Sequence, residues 1–271
     1  MKLYQIAIIS KFGSKESEKA SIKVAKIFLA KKITVYTISP AIVAGTKTVE
    51  AIEDLRKEKL DLIITLGGDG TTLRAFRGIA NETPMLAVNV GGNRGILSEI
   101  TIDKINNAIK QIEGGKIILE KRTRVVASCG GKKFAPALNE ILVQRKNLTK
   151  TAEFGIKFQN DKVVQKMDGV IISTPSGSTG HSFSLGGPIL HESLDVLIIT
   201  PIAPVYRLES IVVPDETIEV QCSHDCNIVM DAQVVTSAGF GEKITVTKFK
   251  KPAVFVRLKK RGLRQMSKLG F

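Results

Sequence analysis

A turn rich in glycine, GGDG, directly follows the apolar run LIITL. Gly67, Gly68 and Gly70 have no side chains, so their backbone N–H groups can approach phosphate oxygens closely. A helix-like segment should begin near Thr71 or Thr72, and its positive end would face the same anion. The pattern predicts a phosphate-binding turn at the carboxyl end of a parallel strand, where α/β sheets bind ligands.

The aspartate within this turn, Asp69, is unexpected in a phosphate-binding turn, because its carboxylate would repel phosphates. Two functions suit it: accepting a proton from an attacking hydroxyl, or holding Mg²⁺. A tight turn in which Asp69 caps the following helix is the structural alternative. Arg74 and Arg77 would lie on one helical face and add positive charge. There is no P-loop motif, and Leu73 replaces the last glycine of G-x-G-x-x-G.

A second candidate site lies in the segment DGVIISTPSGSTGHSFSLGGP, residues 168–188. A strand, GVIIST, ends at Pro175, and hydroxyl side chains then follow among glycines, which suits hydrogen bonding to a sugar–phosphate. A flexible surface loop is the alternative interpretation. GHSFS has Ser184 where a G-x-S-x-G nucleophile elbow needs glycine, so a serine hydrolase is not indicated. The hydroxyl-bearing residues are Ser176, Ser178, Thr179, Ser182 and Ser184.

Two adjacent polar residues, Asn139 and Glu140, interrupt the apolar segment PALNEILV. Neighbours on a strand point to opposite faces, so at least one of them should face inward, where a carboxylate needs partners. An amide can read the edge of a base, and a carboxylate can accept hydrogen bonds from both hydroxyls of a ribose. An edge strand with both side chains in water is the open alternative.

A further polar loop, NVGGNRGIL at residues 89–97, begins with Asn89 at the end of the fourth predicted strand. It should therefore lie near the GGDG turn, at the same edge of the sheet. A second phosphate-contacting turn and a plain interdomain loop are both consistent with this pattern.

The elements that must position these candidates change in character along the chain. Strand and helix patterns alternate at first, and near-continuous apolar strands predict a parallel sheet covered on both faces, a Rossmann-like α/β domain. Beyond residue 115, short segments rich in β-branched residues predict an all-β, sandwich-like domain. The predicted strands of the first domain are LYQIAII, ITVYTI, LDLIITL and MLAVNV, and the predicted helices cover residues 14–30, 48–59, 71–80 and, as a bridge between the domains, 102–112.

The chain has 271 residues and a formal net charge of +14, which favours a polyanionic partner. Only RLKKRGLR, residues 257–264, is densely basic, and 5% aromatic residues with no Trp offer little surface for base stacking. A nucleic-acid partner is therefore not the leading hypothesis. No apolar run approaches the ~20 residues of a membrane helix. The N-terminal MKLYQIAIIS lacks a small-residue cleavage site and indicates a first strand, which predicts a cytoplasmic protein with no membrane partner.

The three cysteines are too few and too sparse for a disulfide framework. Two of them bracket CSHDC at residues 222–226, where zinc is one hypothesis. Metal-binding pairs usually come with a second pair elsewhere, and the sequence contains none. A turn between two strands is therefore favoured, and no metal-ligating residue is assigned.

Taken together, these stretches resemble the NAD kinase family from about residue 62 to the end of the chain. GGDGT resembles the phosphate-binding signature of the family, LNE resembles its adenosine-contacting pair, and residues 168–188 are similar to its longest signature. NVGGNRGIL, ITPIAP, MDAQ and the C-terminal KLGF resemble others. The resemblance implies ATP-dependent phosphorylation of the 2′-hydroxyl of the adenosine ribose of NAD, which yields NADP.

The resemblance also implies a role for each matching position. Asp69 would activate the hydroxyl, and Asn139 and Glu140 would hold the adenosine portion. Asp168 would sit near the nicotinamide ribose, with Lys166 close to it. The positions implied to bind phosphates are Gly67, Gly68, Gly70 and Thr71, and those assigned to the NAD site are Ser176, Thr179, Gly180, His181, Ser184 and Gln233. Arg74 and Asn89 join the phosphate-binding candidates because of their places on the predicted helix and loop.

The change of pattern along the chain indicates the domain limits, and the resemblance adds the returning C-terminal segment and the partners. The first domain should cover residues 1–100, with residues 254–271 packing back on it, and the NAD-binding domain should cover residues 101–253. The phosphoryl donor would be ATP, or also polyphosphate, with Mg²⁺ or another divalent cation. The protein would be a homodimer or homotetramer.

The chain departs from the family pattern at two places. The family has Ala-Tyr where this chain has Gly180 and His181, so an imidazole would replace a ring that stacks on the substrate. The family also has Asp-Gly-Gln where this chain has Asp231, Ala232 and Gln233. The second departure raises the question of whether a positive φ is needed at Ala232.

Two other classes of protein stay open as alternatives. GGDG also occurs in lipid kinases and phosphofructokinases, and a diacylglycerol-type lipid kinase would use the positive charge at an anionic membrane surface. A basic nucleic-acid-binding module would use RLKKRGLR and would have no function for Asp69. The pair Asn139 and Glu140 and the hydroxyl-rich segment favour NAD over both.

Overall fold

The computed structural model describes residues 1–91 and 95–260. The chain divides into two compact units, one formed by Met1–Lys121 with the stretch that begins at Ala253, the other by Arg122–Pro252. The boundary predicted at residue 100 therefore lies too early in the chain, because a helix and a strand beyond it belong to the first unit. In the described ranges, no helix is long and apolar enough to cross a membrane.

Strands predominate in the described part of the chain, with α-helices and 3₁₀ helices between some of them. The strands are β1 (Gln5–Ser10), β2 (Thr34–Ile38), β3 (Lys47–Val49), β4 (Leu62–Leu66), β5 (Met85–Asn89), β6 (Ile100–Thr101), β7 (Ile118–Arg122), β8 (Val125–Cys129), β9 (Lys132–Lys133), β10 (Glu140–Arg145), β11 (Ala152–Phe158), β12 (Asp161–Met167), β13 (Gly169–Ser173), β14 (Val196–Ile202), β15 (Ile211–Pro214), β16 (Ile218–Cys222), β17 (Cys226–Met230), β18 (Val234–Ala238), β19 (Lys243–Lys248) and β20 (Ala253–Arg257). The α-helices are α1 (Lys15–Leu29), α2 (Asp69–Ile79), α3 (Ile105–Glu113) and α4 (His181–Ser184), and 3₁₀ helices cover Ile52–Lys57, Ile102–Lys104 and Pro175–Thr179.

One sheet forms the centre of the first unit, with the strand order β3–β2–β1–β4–β5–β20–β7 and β6 paired to β5. The pairs β1–β2, β1–β4 and β4–β5 are parallel, which confirms the predicted Rossmann-like α/β sheet. β20 pairs in parallel with β5, at Phe255 opposite Met85. The described part of the segment predicted to pack back therefore lies in this unit, and residues 261–271 lie outside the described residues.

Helices cover both faces of this sheet, as near-continuous apolar strands require. α1 and α3 pack on one face, where Val24 and Phe28 share a buried cluster with Ile109. α2 packs on the other face, with the Phe76 ring 4.7 Å from the Phe255 ring between centroids. Because both faces are covered, the carboxyl edge of the sheet is the part of this unit left for a ligand.

The helix predicted over residues 48–59 is wrong. Lys47–Val49 instead forms β3, which pairs in parallel with β2, and the 3₁₀ helix Ile52–Lys57 follows it. A short helix is only marginally stable by itself, whereas the backbone of this strand pairs with β2. Thr48 Oγ1 also lies 3.2 Å from Thr37 Oγ1 across the strand pair. Ile52 and Leu55 are both buried, so the apolar spacing identified the inward-facing residues correctly.

The helix predicted over residues 102–112 is present, but it does not bridge two domains. It starts as a 3₁₀ turn and continues as α3, whose residues Ile105, Ile109 and Ile112 are buried in the core of the first unit. Burial of its apolar face therefore anchors α3 in the first unit, and this packing explains why that unit extends beyond residue 100.

The second unit is a sandwich of two six-stranded sheets with antiparallel pairing between neighbouring strands. The strand orders are β15–β14–β13–β10–β17–β18 and β12–β11–β16–β19–β8–β9. One buried cluster takes side chains from both sheets, among them Ile141 and Ile172 from the first and Val220 and Ile244 from the second. This arrangement confirms the predicted all-β, sandwich-like domain.

The CSHDC stretch is the predicted turn between two strands. Cys222 ends β16 and Cys226 begins β17, and both thiols are free and buried. In the part of the chain that the structure describes, no group of three or more His, Cys, Asp or Glu side chains is placed to hold a metal ion.

Candidate active site

The GGDG turn joins β4 to α2, and the helix begins earlier than the sequence predicts. α2 starts at Asp69, and Gly68 is its N-cap residue in an extended conformation. The alternative in which Asp69 caps the helix is therefore wrong. The Gly67 N–H donates to the Val88 carbonyl at 3.0 Å, which ties the turn to β5. The first turn of a helix leaves N–H groups without intrahelical partners, so this end of α2 attracts anions.

The Asp69 carboxylate accepts hydrogen bonds from the loop that follows β5. The Ile96 N–H donates to Oδ2 at 2.8 Å and the Leu97 N–H donates to Oδ1 at 3.0 Å. A Cβ at Gly95 would lie 2.1 Å from Asp69 Oδ1, so only glycine fits at this position. An ionised carboxylate has about four lone-pair sites, so Asp69 keeps capacity to accept a hydroxyl proton or to bind a cation.

These contacts confirm that the loop at residues 89–97 lies beside the GGDG turn. Both belong to the first unit, and residues 92–94 of the loop lie outside the described residues. Asn89 ends β5 and is buried, and its Oδ1 has no hydrogen-bond partner among the described residues. A buried polar oxygen of this kind is uncommon in native proteins, so Asn89 is a candidate for contact with a ligand.

Arg74, on α2, shows the same incomplete bonding. Its Nη2 donates to the Ser10 carbonyl at 2.9 Å, which directs the guanidinium towards the end of β1. Its buried Nε has no hydrogen-bond partner within the described ranges. Thr71, in the first turn of the same helix, is also buried. The predicted phosphate-binding residues of the first unit therefore share one edge of one sheet.

An ion-pair cluster that the sequence did not indicate supports this edge. Arg257 is 1% exposed, and its guanidinium lies 3.4 Å from Glu99 and 2.9 Å from Glu120. Its Nη1 also donates to the Leu97 carbonyl at 3.2 Å, and the Leu97 N–H in turn binds Asp69. No sequence signal separates Arg257 from the basic residues after it.

The burial of Arg257 also bears on the nucleic-acid alternative. This arginine is the first residue of RLKKRGLR, and a buried, doubly paired guanidinium is not available to a phosphate backbone. Residues 261–264 of the same stretch lie outside the described residues. Among the described residues of this stretch, Arg257 is therefore not part of a basic binding surface.

In the second unit, Asn139 and Glu140 lie at the start of β10, within the sheet rather than at its edge. β10 pairs with β13 on one side and β17 on the other, so the edge-strand alternative is wrong. Glu140 is 4% exposed. Asn139 Oδ1 and Glu140 Oε2 are both buried, and neither has a hydrogen-bond partner among the residues that the structure describes.

Asp231 positions this pair, a role that was not predicted from the sequence. Its buried carboxylate accepts the Leu138 N–H at 3.1 Å and the Asn139 N–H at 2.7 Å, and its own N–H donates to the Glu140 carbonyl at 3.1 Å. The signal available in the sequence was an acidic residue directly after the apolar strand NIVM. Ala232 has a φ of 53°, so the chain adopts at this alanine the conformation that glycine adopts most easily.

The hydroxyl-rich segment is helical and mostly buried, so the surface-loop alternative is wrong. Its first part is the 3₁₀ helix Pro175–Thr179, and Thr174 caps it by accepting the Gly177 N–H at 3.2 Å. The Thr174 N–H donates to the Asn139 carbonyl at 2.8 Å, and a Cβ at Gly177 would lie 2.3 Å from that oxygen. The close contact requires glycine and brings the segment against the Asn139–Glu140 pair.

Several hydroxyls of this segment make contacts within the protein. Ser178 Oγ donates to the Pro175 carbonyl at 2.7 Å, and Ser182 Oγ lies 2.8 Å from Thr200 Oγ1. Ser176 Oγ lies 3.4 Å from a guanidinium nitrogen of Arg122, which is buried and also pairs with Glu192 at 3.2 Å. Thr179 is buried, and a Cβ at Gly180 would lie 3.7 Å from Glu140 Oε2. The predicted residues Ser176, Thr179 and Gly180 are thus grouped with Asn139 and Glu140.

Two residues predicted for the NAD site, Asp168 and Lys166, lie apart from this group. Asp168 precedes β13 and accepts from Arg145 Nε at 2.7 Å, and Lys166 is exposed on β12. Glu140 pairs with Ser173 at the opposite end of β13. A strand of this length spans roughly 16 Å, so one chain does not bring Asp168 to Glu140. His181, Ser184 and Gln233 are exposed.

Burial and the neighbouring Asp231 charge raise the pKa of Glu140 from 4.5 to about 8. The cause is that ionisation inside the sheet removes a charge from water and places it near a second carboxylate. At neutral pH the protonated carboxyl is favoured, and this form can both donate and accept a hydrogen bond.

The stability of Glu140→Gln should change with pH relative to the parent protein. The native state holds the Glu140 proton more tightly than the unfolded chain, so the parent loses stability relative to a neutral glutamine as pH rises from about 4.5 to about 8. Melting temperatures measured across this range should diverge in favour of Glu140→Gln and then run parallel above it. The exposed Glu153→Gln is the control, and two parallel curves for Glu140→Gln would contradict the raised pKa.

The first unit offers a partial set of ligands for a divalent cation. The described residues hold no cluster of three or more ligating side chains. Mg²⁺ in phosphoryl-transfer sites, however, is usually bound by one or two carboxylates together with substrate phosphates and water. Asp69 keeps acceptor capacity at the phosphate-binding turn, so the residues present fit a Mg²⁺ ion that arrives with a nucleotide.

Comparison with known proteins gives consistent matches along the chain. Residues 6–117 match the family described as the ATP-NAD kinase N-terminal domain, and residues 138–258 match the ATP-NAD kinase C-terminal domain. The NAD kinase of Methanothermobacter thermautotrophicus is 30% identical over 267 residues, which cover 95% of this chain and 93% of that protein. The NAD kinase of Clostridium beijerinckii is 34% identical over 212 residues, 74% of each chain.

A solved structure shows the same similarity in three dimensions. The crystal structure of an NAD kinase from Archaeoglobus fulgidus in complex with ATP superposes with a TM-score of 0.79 at 28% sequence identity. The match covers 98% of this chain and 98% of that one. The similarity therefore extends over both units and is not limited to the GGDG turn.

Proposed function

Because this chain belongs to the NAD kinase family, and so phosphorylates NAD to NADP with ATP, we propose that the reaction proceeds through Asp69. Asp69 takes the proton of the adenosine 2′-hydroxyl, and the hydroxyl oxygen attacks the γ-phosphorus of ATP. The bond between that phosphorus and the bridging oxygen breaks, and ADP leaves. The free acceptor capacity of the Asp69 carboxylate, beside a helix N-terminus, supports this role.

The observation that carries the NAD-binding part is the pair of buried oxygens at Asn139 Oδ1 and Glu140 Oε2. Neither has a hydrogen-bond partner among the described residues, and both lie in the group formed with Gly177 and Gly180. Adenosine carries ring-nitrogen acceptors as well as amino and hydroxyl donors, so it matches an amide and a protonated carboxyl. We therefore assign the adenosine portion of NAD to this group.

Glu140→Ala should raise the KM for NAD by about tenfold to a hundredfold, because one hydrogen-bonding partner of the adenosine is lost. The KM for ATP should stay within a factor of about two, since ATP is assigned to the first unit. Steady-state kinetics with each substrate varied in turn measure both values. Glu153→Ala, exposed on β11 of the same unit, is the matched control. An unchanged KM for NAD in Glu140→Ala would remove Glu140 from the adenosine site.

Homo-oligomer formation would explain why Asp168 lies at the other end of β13 from Glu140. We propose that a second copy of the chain supplies Asp168 and Lys166 to each NAD site. Exposed apolar side chains next to these residues support an interface there, because Val205 and Tyr206 lie beside β12 and Val164 is exposed on it. We propose that the assembly contains either two or four copies of the chain.

Mixing two impaired variants tests this arrangement. Glu140→Ala and Asp168→Ala, each weakly active alone, should regain activity when co-expressed with different affinity tags and purified as a mixed oligomer. In a mixed pair one site contains both lesions and the other contains neither, so activity at low NAD concentration rises well above either variant. If mixing gives no gain, both residues act from the same chain.

The proposal also includes a divalent cation, a second phosphoryl donor and a cellular location. Mg²⁺, bound by Asp69 and the phosphates of the nucleotide, would neutralise the charge that builds on the transferred group. Polyphosphate is proposed as a second donor, since the phosphate-binding turn uses backbone N–H groups that do not require a nucleoside. The cytoplasm is the proposed location.

A further inference from the structure

A cavity in the first unit lies next to the phosphate-binding turn and has no role in the reaction as described so far. Its volume is about 320 Å³, within the usual range of small-molecule sites, which is about 300–1,000 Å³. It lies at the carboxyl ends of β1 and β2, and we refer to it as the β1–β2 cavity. In an open α/β sheet, ligands bind at this edge near the point where the strand order reverses. That point here is between β1 and β4.

The basic end of the β1–β2 cavity adjoins the GGDG turn. Lys11 and Arg74 line it, and the Lys11 N–H donates to the Leu66 carbonyl at 2.8 Å, one residue before the turn. A Cβ at Gly67 would lie 3.1 Å from Lys11 Cβ, so the two segments are in contact. Arg74 reaches the same place from α2 through the Ser10 carbonyl. A phosphate chain on the GGDG turn could therefore continue into this cavity.

The other lining residues are unsuited to phosphates. Three carboxylates line the cavity, those of Glu18, Glu50 and Glu53, and all three are exposed to solvent. They repel phosphate groups, but they accept hydrogen bonds from sugar hydroxyls and amino groups. The charge distribution therefore orients an occupant, with phosphates towards Lys11 and Arg74 and a neutral polar group towards the glutamates.

An aromatic ring is also exposed at this cavity. Phe12 lines it and is 69% exposed, which is unusual for a large apolar side chain. Exposed aromatic rings are the common stacking partners of nucleobases. The cavity thus combines a phosphate-compatible end, hydrogen-bond acceptors for a ribose and a surface for a base.

We propose that the β1–β2 cavity binds the nucleoside of the donor triphosphate, with the base stacked on Phe12 and the ribose near the glutamates. This inference rests on the proposed function, because it assumes that the donor phosphates occupy the GGDG turn. It divides donor recognition into two parts. The turn holds the phosphates of any donor, and the cavity recognises only a donor that carries a nucleoside. Inorganic tripolyphosphate, which has no nucleoside, would use the turn alone.

Phe12→Trp offers a direct binding test, because the chain contains no other tryptophan. Addition of ATP with Mg²⁺ should change the emission of this variant in a saturable way, and inorganic tripolyphosphate should not. Phe240→Trp is the matched control, since Phe240 is a phenylalanine of the second unit with a similar exposure of 76%. ATP should leave the emission of that variant unchanged.

Kinetics supply the second arm of the test. Phe12→Ala should raise the KM for ATP by about tenfold and leave the KM for NAD unchanged, because only the stacking contact with the donor base is lost. The inhibition constant Ki of tripolyphosphate as a competitor of ATP should stay unchanged in this variant, because tripolyphosphate would not contact Phe12. Phe240→Ala should have the kinetics of the parent protein.

Two results would overturn the proposal. One is an emission of Phe12→Trp that stays constant at ATP concentrations that saturate turnover of the same variant. The other is an equal response to ATP and to tripolyphosphate. Failure of the proposed function is distinguishable, because the parent protein would then form no NADP whatever the emission of Phe12→Trp shows.

Discussion

Replacing Asp69 with Asn is expected to lower kcat by about 10²–10⁴-fold, the usual contribution of a positioned general base. The amide keeps the size of the side chain but cannot take the proton of the 2′-hydroxyl. The affinity for NAD should change little, since the residues assigned to the adenosine portion belong to the second unit. Single-turnover rates with saturating NAD and ATP, together with NAD binding by calorimetry, measure the two effects separately.

A control is needed because the Asp69 carboxylate also accepts two backbone hydrogen bonds. Asp61 in the same unit also accepts two backbone hydrogen bonds, both at Oδ2, from the Tyr4 N–H at 2.7 Å and the Gln5 N–H at 2.9 Å. Asp61→Asn should therefore keep its turnover. Its amide oxygen can replace Oδ2, so it should lose no more stability than Asp69→Asn, which leaves one N–H donor unsatisfied at a cost of about 1–3 kcal/mol. If Asp69→Asn and Asp61→Asn have comparable kcat values, Asp69 is not the base.

Arg257→Ala is expected to lower the free energy of unfolding by about 3–5 kcal/mol, because it leaves two carboxylates without their buried partner. Glu99 is buried, Glu120 is only partly exposed, and both lie within 3.4 Å of the guanidinium. The same change removes the hydrogen bond to the Leu97 carbonyl, next to the loop that binds Asp69. Chemical denaturation monitored by circular dichroism measures the loss.

The matched control for this prediction is Arg207→Ala. Arg207 also forms an ion pair, with Glu209 at 2.5 Å, but its side chain is 89% exposed. An exposed pair in water contributes little to stability, so this change should have no measurable effect on unfolding. Equal losses in the two variants would mean that the buried cluster around Arg257 does not stabilise the first unit.

Many of the strands, and the faces that they bury, can be predicted from local hydrophobic patterns in the sequence. Apolar runs such as LIITL are buried on both faces of a parallel sheet, and alternating runs such as KITVTK have one buried face in the sandwich. The helix prediction over residues 48–59 is wrong for a physical reason. The short strand β3 is stabilised by pairing with β2, and such pairing leaves no periodic signal in three residues.

The candidate site was only partly predictable, for a related reason. Asp69, Asn139 and Glu140 are detectable because a polar residue interrupts glycine or apolar surroundings. The roles of Asp231 and Arg257 are not, because each acts through partners far away in the sequence. Asp231 binds the N–H groups of residues more than ninety positions earlier, and Arg257 binds a carbonyl 160 positions earlier. Such contacts are determined by the packing of the sheets, and local sequence does not record them.

The most direct test of the central claim is the product that the purified chain forms from NAD, ATP and Mg²⁺. An enzymatic assay specific for NADP should show NADP accumulating only when all three are present, with one ADP released for each NADP formed. Asp61→Asn should give the same product, and Asp69→Asn should give almost none. Absence of NADP from the parent protein, or transfer of the phosphoryl group to diacylglycerol vesicles instead, would contradict the assignment.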